Sequence, residues 1–315
     1  MPPLTRRAAL LGLPLLGLGG LGGAAWWMTS RRGAAAAEAL YATPLMPPEG
    51  PLRTYHLGHS LVGRDMPAML AQLAGHSYES QLGWGTSLRE HWDPALPVNG
   101  FEKENAHDRY RDGLEAVGSG EYDALVLTEM VELKDAIRYH DSAKYLANWA
   151  QRAAEANPDT RIYLYETWHH TDDPGGWATR IAEDYEALWL RRVLYPALAT
   201  SGAPVHVIPA GQAMATFVAK VAEDGGIGGI KGVDDLFATS EDGTPDTIHF
   251  NDVGAYLVAL THYAVLYHRT PEGLPHQLTR ADGTPATAPS AEAARAMQEV
   301  VWQVVTGLKE TGVAG

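Results

Sequence analysis

Two short segments carry residues that could do chemistry together: Gly58-His59-Ser60-Leu61 and, near the far end of the chain, Asp246-Thr247-Ile248-His249. A serine hydroxyl is a poor nucleophile until a base removes its proton. An imidazole does this best when a carboxylate fixes its tautomer. All three groups are present, in the order Ser, Asp, His. The carboxylate of Asp246 can reach the ring nitrogen of His249 that faces away from Ser60. These residues point to acyl-group chemistry, with Ser60 as nucleophile, His249 as base and Asp246 as the group that orients it.

For this to work, the surrounding elements must bring the two segments together. Ser60 directly follows an extended apolar run, Arg53–Leu57. Further strands are expected at Tyr78–Leu82, Tyr122–Thr128, Arg161–Tyr165 and Val205–Ile208. Helical patterns cover Pro67–Ala74, Asp141–Ala156, Trp177–Leu198, Asp252–His268 and Ser290–Leu308. Strands alternating with helices imply parallel pairing through right-handed crossovers, hence a three-layer α/β sandwich around a mainly parallel five-stranded sheet. Ligands bind at the carboxyl ends of such strands. Ser60, Gly83–Thr86, Glu129, Thr167–Asp173 and Pro209–Gln212 each follow a strand and so share one rim. Asp246 and His249 are expected on the loop feeding the helix that starts near Asp252. The stretch Gly225–Gly232 lacks the Lys-Ser/Thr pair of a phosphate loop and is expected to be a flexible loop beside the active rim.

The motifs resemble those of the SGNH, or GDSL-like, hydrolases. The first block of that family, a Gly-Asp/Asn-Ser-Leu run after the first strand, is matched by Gly58-His59-Ser60-Leu61. Its last block, Asp-x-x-His followed by Asn or Pro and then Gly, is matched from Asp246 to Gly254. The resemblance implies a flavodoxin-like sheet over about residues 53 to 268. It also implies that an oxyanion is held by the Ser60 N–H and by Gly85, with Gly83 as the alternative. Two departures stand out. His59 replaces the usual Asp or Asn, and Glu129 stands where the third block offers an Asn. An ionised glutamate accepts hydrogen bonds and cannot donate them. Glu129 is therefore either protonated or turned away to position substrate. An α/β-hydrolase elbow does not fit, since Val62 occupies the place of its second glycine.

Other side chains near the rim could contact substrate: His59, Glu129, Trp84, Trp168 and His169, with Trp92, Arg89, Glu90 and His91 close by in sequence. Tryptophans there could stack on sugar rings or simply pack. His169-His170 with Asp172-Asp173 invites a metal reading. Adjacent histidines in extended chain point to opposite faces, however, and the spacing fits no standard site, so no metal is assigned. His56 reads as a core histidine.

The chain has no cysteine, which excludes disulfides and thiolate chemistry. Its net charge is −14, and loss of Arg6, Arg7, Arg31 and Arg32 would take it to −18. Nucleic acid as a partner is thereby excluded. The start of the chain reads as a leader: Thr5-Arg6-Arg7, an apolar stretch Ala8–Met28, then Arg31-Arg32 and the small-residue run Gly33–Ala37. This is the pattern of an export signal, and the arginine pair favours the twin-arginine route. The alternative is an uncut membrane anchor, because the apolar stretch is about long enough to span a bilayer. The expected organisation is a leader at 1–37, a linker at 38–52 and one hydrolase domain at 53–315. The expectation is a cofactor-free, periplasmic or extracellular serine esterase acting on short acyl esters, O-acetyl groups on carbohydrate foremost. Two alternatives share its features: a polysaccharide O-acyltransferase with the same triad, and a non-catalytic glycan-binding protein on the hydrolase fold. The oligomeric state is not legible.

Overall fold

A computed structural model describes residues 19–240 and 242–315, with residues 19–28 and Ser30 as backbone only. The arginine pair Arg6-Arg7 and the first part of the apolar stretch lie outside the described residues. Among the described residues, no helix is long and apolar enough to cross a membrane.

Five strands, β1 (Arg53–Gly58), β2 (Ser77–Leu82), β3 (Ala124–Leu127), β4 (Arg161–Glu166) and β5 (Val205–Pro209), form one all-parallel sheet in the order β2-β1-β3-β4-β5. This is the flavodoxin-like doubly wound order, which reverses direction between β1 and β3. The strands are apolar without strict alternation because both faces are covered. Ile162 and Leu164 of β4 point into one apolar cluster, and Tyr163 and Tyr165 point into the other.

The helices divide between the two faces. On one side pack α2 (Asp65–Ala74), α7 (Ala210–Glu223), α8 (Asp252–Tyr267) and α9 (Ala291–Gly307). On the other lie α1 (Gly19–Leu40), the short α3 (Leu88–Trp92), α4 (Ser142–Ala156) and α6 (Tyr195–Ser201). The expected helix Trp177–Leu198 is broken into α5 (Trp177–Asp184), a π-helical stretch Tyr185–Leu194 and α6. Trp177 and Ile181 enter one apolar cluster while Tyr185 and Trp189 enter the other. The extra residues per turn of a π-helix accompany this change of packing partner.

Two expectations about loops are corrected. Asp246 and His249 lie on a strand, β7 (Pro245–Phe250), paired antiparallel with β6 (Phe237–Thr239). The glycine-rich stretch is no flexible rim loop. Ile227 and Ile230 pair with each other and are buried, and Gly228 presses on Ser290 and Ala293 at the start of α9. The boundary expected at residues 37–38 falls inside α1, whose buried Ala37 precedes a buried Tyr41.

Candidate active site

Ser60 sits in the turn between β1 and α2, where the N–H groups of Val62 and Gly63 return to the His59 carbonyl. Gly58 ends β1 without a side chain because a Cβ there would lie 2.5 Å from Thr128 at the end of β3. That close approach lets the turn pack against the neighbouring strand. His59 is buried. Its Nε2 donates to the Glu129 carbonyl at 2.8 Å, and its Nδ1 accepts from Leu61 N. Burial lowers its pKa to about 4, so it stays neutral. It ties the serine turn to the end of β3.

The three residues singled out by spacing meet at one point. His249 Nδ1 donates to Asp246 Oδ2 at 2.8 Å, which leaves Nε2 free to accept from Ser60 Oγ at 2.9 Å. The other oxygen of Asp246 accepts from the backbone N–H groups of Ile248 and His249. Burial raises the Asp246 pKa, but these amide bonds and the His249 ring outweigh it and hold the carboxyl below its ordinary value.

The strand carrying this pair is fixed from outside. Trp168 Nε1 donates to Ile248 O, Thr171 N donates to Thr247 O, and His170 Nδ1 lies 2.8 Å from Thr247 Oγ1. Asn251 caps α8 and ties back to the carbonyls of Asp235 and Phe237. Asp252 takes the guanidinium of Arg280.

A cleft of about 400 Å³ opens over Ser60 and His249. Gly85, held at a φ of +54°, and Trp84 form one wall; Val131, Ile248 and His170 lie elsewhere around it. Among the described residues, neither the Ser60 N–H nor the Gly85 N–H donates to another group of the protein. The indole of Trp84 is 47% exposed. Its Nε1 is held by Glu104, Lys103 lies over its ring, and a Cβ on Gly100 would strike it at 2.3 Å. The ring is therefore clamped in place.

Several expected contact residues do not reach this cleft. Glu129 is fully buried and accepts from Leu88 N at the start of α3 and from Met130 N. Burial raises its pKa to about 7 despite those two bonds. Trp168 is buried as a brace for β7. Trp92 packs edge-on against Trp149. His91 donates or accepts only within the core, at Gly58 O and Gln81, while Glu90 closes the capping box of α3. Arg89 reaches the Tyr139 carbonyl.

His169 faces away from the cleft, because it alternates with His170 in extended chain. Its Nε2 lies 3.2 Å from Asp184 and its Nδ1 3.6 Å from Glu132. These three are close enough together to hold a metal. The guanidinium of Arg180 already bridges the carboxylates, however, at 2.7 Å to Glu132, 2.7 Å to Asp184 and 2.6 Å to Asp173. Burial pushes the Glu132 carboxyl up, but His169 and Arg180 outweigh it and hold it well below the usual range. Arg180, not singled out by any motif, is the hub of this cluster. The i,i+4 spacing to Asp184 marks one ion pair locally, but Glu132 comes from a different segment and nothing in the sequence joins it to Arg180.

Fold and site together define a doubly wound α/β protein that carries a Ser-His-Asp relay at its strand ends. Neither a family model nor a curated protein matches the chain. Among solved structures it is similar to a protein described as a GDSL-like lipase from Parabacteroides merdae ATCC 43184, at 13% identity and a TM-score of 0.41, over 71% of this chain and 98% of that one. It is also similar to a gut microbial diltiazem-metabolizing enzyme, at 13% identity and a TM-score of 0.36. That match covers 71% of this chain and 49% of the other, so this chain spans about half its length. What the site can do follows from its own geometry.

Proposed function

We propose that the protein is a serine esterase that hydrolyses short acyl esters, O-acetyl groups on carbohydrate foremost. The observation that carries this reading is the unbroken relay from Asp246 through His249 to Ser60 Oγ, beside two backbone N–H groups that have no other partner among the described residues.

In the first half-reaction, Ser60 Oγ attacks the acyl carbonyl while His249 Nε2 takes its proton. Asp246, held ionised by its amide bonds, stabilises the imidazolium. The oxyanion accepts from the N–H groups of Ser60 and Gly85. His249 then protonates the departing alcohol, and an acyl-serine remains. Water then attacks the acyl carbon while His249 takes its proton; the bond to Ser60 Oγ breaks, His249 returns the proton to Ser60, and the acid is released. The side chain of His249 is 45% exposed, so water has access to the base. No metal or organic cofactor takes part in these steps.

The substrate class rests on the walls. Val131, Ile248 and Leu61 offer apolar surface for a short acyl chain, and a cleft of about 400 Å³ suits a small group. The clamped indole of Trp84 offers a rigid face on which a sugar ring can stack. The leader motivates placing this activity outside the cytoplasm.

The test is hydrolysis of a chromogenic acetyl ester by wild type, Ser60→Ala and His249→Ala. Both variants are expected to lose about 10⁴-fold or more while keeping the wild-type melting temperature. Equal activity in all three proteins would sink the assignment.

A further inference from the structure

We propose that the small-residue run Gly33–Ala37 belongs to the folded domain, and that the apolar stretch before it stays attached as an anchor in a lipid bilayer. Gly33, Ala37 and Tyr41 recur every four residues and so share one face of α1. All three are buried, whereas Arg31, Arg32, Ala34, Ala35, Ala36 and Glu38 are exposed.

The buried face is a close fit. A Cβ at Gly33 would lie 1.9 Å from the carbonyl oxygen of Tyr195, at the start of α6. Ala37 is 2% exposed in the apolar cluster that also holds Leu194 and Ala197. The Tyr41 hydroxyl donates to the Val205 carbonyl at 2.7 Å, and its ring packs edge-on against His206. Smallness at residues 33 and 37 is thus what backbone contact requires. The same smallness is what makes the run resemble a peptidase site. A peptidase reads an extended, accessible segment, and here the bonds in question lie in a docked helix. Cutting after Ala37 would strip the cover from Tyr195 and leave Tyr41 as a remnant.

Upstream of the dock, Ala8–Met28 contains no Asp, Glu, Lys or Arg. It is about 21 residues long, close to the roughly 20 that cross a bilayer as a helix. Arg6-Arg7 on one side and Arg31-Arg32 on the other would meet the headgroups. The domain itself is acidic and has no electrostatic reason to stay at an anionic surface, so the apolar stretch is what would hold it there.

The experiment expresses the full chain, with its own leader, in a bacterial host that has both general export routes. The intact mass of the product is measured, and membranes are washed with alkaline carbonate. The expected product retains residues 8–28, resists carbonate and is released by detergent. Ala35→Lys, at an exposed position, changes neither mass nor fractionation, whereas Gly33→Leu lowers the melting temperature and opens α1 to added protease. A product lacking residues 8–28, or a full-length product released by carbonate, overturns the anchor. A product beginning at Glu38, with a longer form accumulating in Ala35→Lys, overturns the whole proposal. None of these readouts depends on esterase activity.

Discussion

The imidazole–carboxylate pairs at His249 and His169 lie near the same rim and differ in what surrounds them. His249 contacts one carboxylate, has a hydroxyl on its other nitrogen, and opens onto a cleft. His169 is 3% exposed, lies between Glu132 and Asp184, and has the guanidinium of Arg180 bound to both carboxylates. The first pair leaves a nitrogen for chemistry, and in the second both carboxylates are taken up by a guanidinium. Spacing alone does not separate a reactive imidazole from a structural one. Access and the identity of the third group do.

The comparison breaks most visibly at the reactive pair. Asp246→Asn keeps the shape but lets His249 adopt the wrong tautomer, so esterase activity is expected to fall by about 10⁴-fold with little change in melting temperature. A loss below about tenfold would mean that Asp246 only supports β7. At the structural pair the balance reverses. Arg180→Met leaves Glu132 and Asp173 without their cation and Asp184 with Lys134 at 3.8 Å, and Arg180 is only 12% exposed, so about 3 kcal/mol of stability is expected to disappear. Activity there falls less, by about 10- to 100-fold, because residues 168 to 171 no longer brace β7 as firmly. Chemical denaturation beside kcat and KM reads both effects. Arg180→Met with full stability and lost activity would place Arg180 in the chemistry instead.

Glu129 sharpens the contrast, with the smallest effect on rate. It is a buried carboxyl that forms no ion pair among the described residues. One oxygen has two amide donors and the other has no partner. Its pKa is raised from 4.5 to about 7 in the folded protein. Between those values the folded state holds a proton that the unfolded chain has released, so stability falls as pH rises through that window. Glu129→Gln does not titrate. Its stability is expected to gain on wild type as pH rises from about 4.5 to 7, by an amount on the order of 3 kcal/mol once the window is crossed. Parallel curves for the two proteins would show that Glu129 is ionised throughout.

Much of this was legible from residue order. The alternation of strands and helices gives the five-stranded parallel sheet, with ends displaced by a residue or two, because buried parallel strands and capped helices leave local marks. The serine turn and the Asp-x-x-His segment are also local patterns, and their order along the chain pointed to one rim. The positions of Trp84 and Gly85 on that rim follow from their place after β2.

Other features depend on which segments meet. That Asp246 and His249 ride on a strand is decided by β6, Trp168 and Thr171, none of which adjoins them in sequence. The outward turn of His170 and inward turn of His169 depends on Arg180 and Asp184 waiting on one side. Glu129 turns from the cleft because the free N–H of Leu88 lies behind it. That Gly33 lies against the Tyr195 carbonyl is likewise a contact between segments far apart in the chain. Sequence by itself determined which groups could react and which elements carry them, since propensity, pattern and motif act over a few residues. Tertiary structure alone decided which groups stay free to react, since solvent access and charge pairing are set by neighbours distant in the chain.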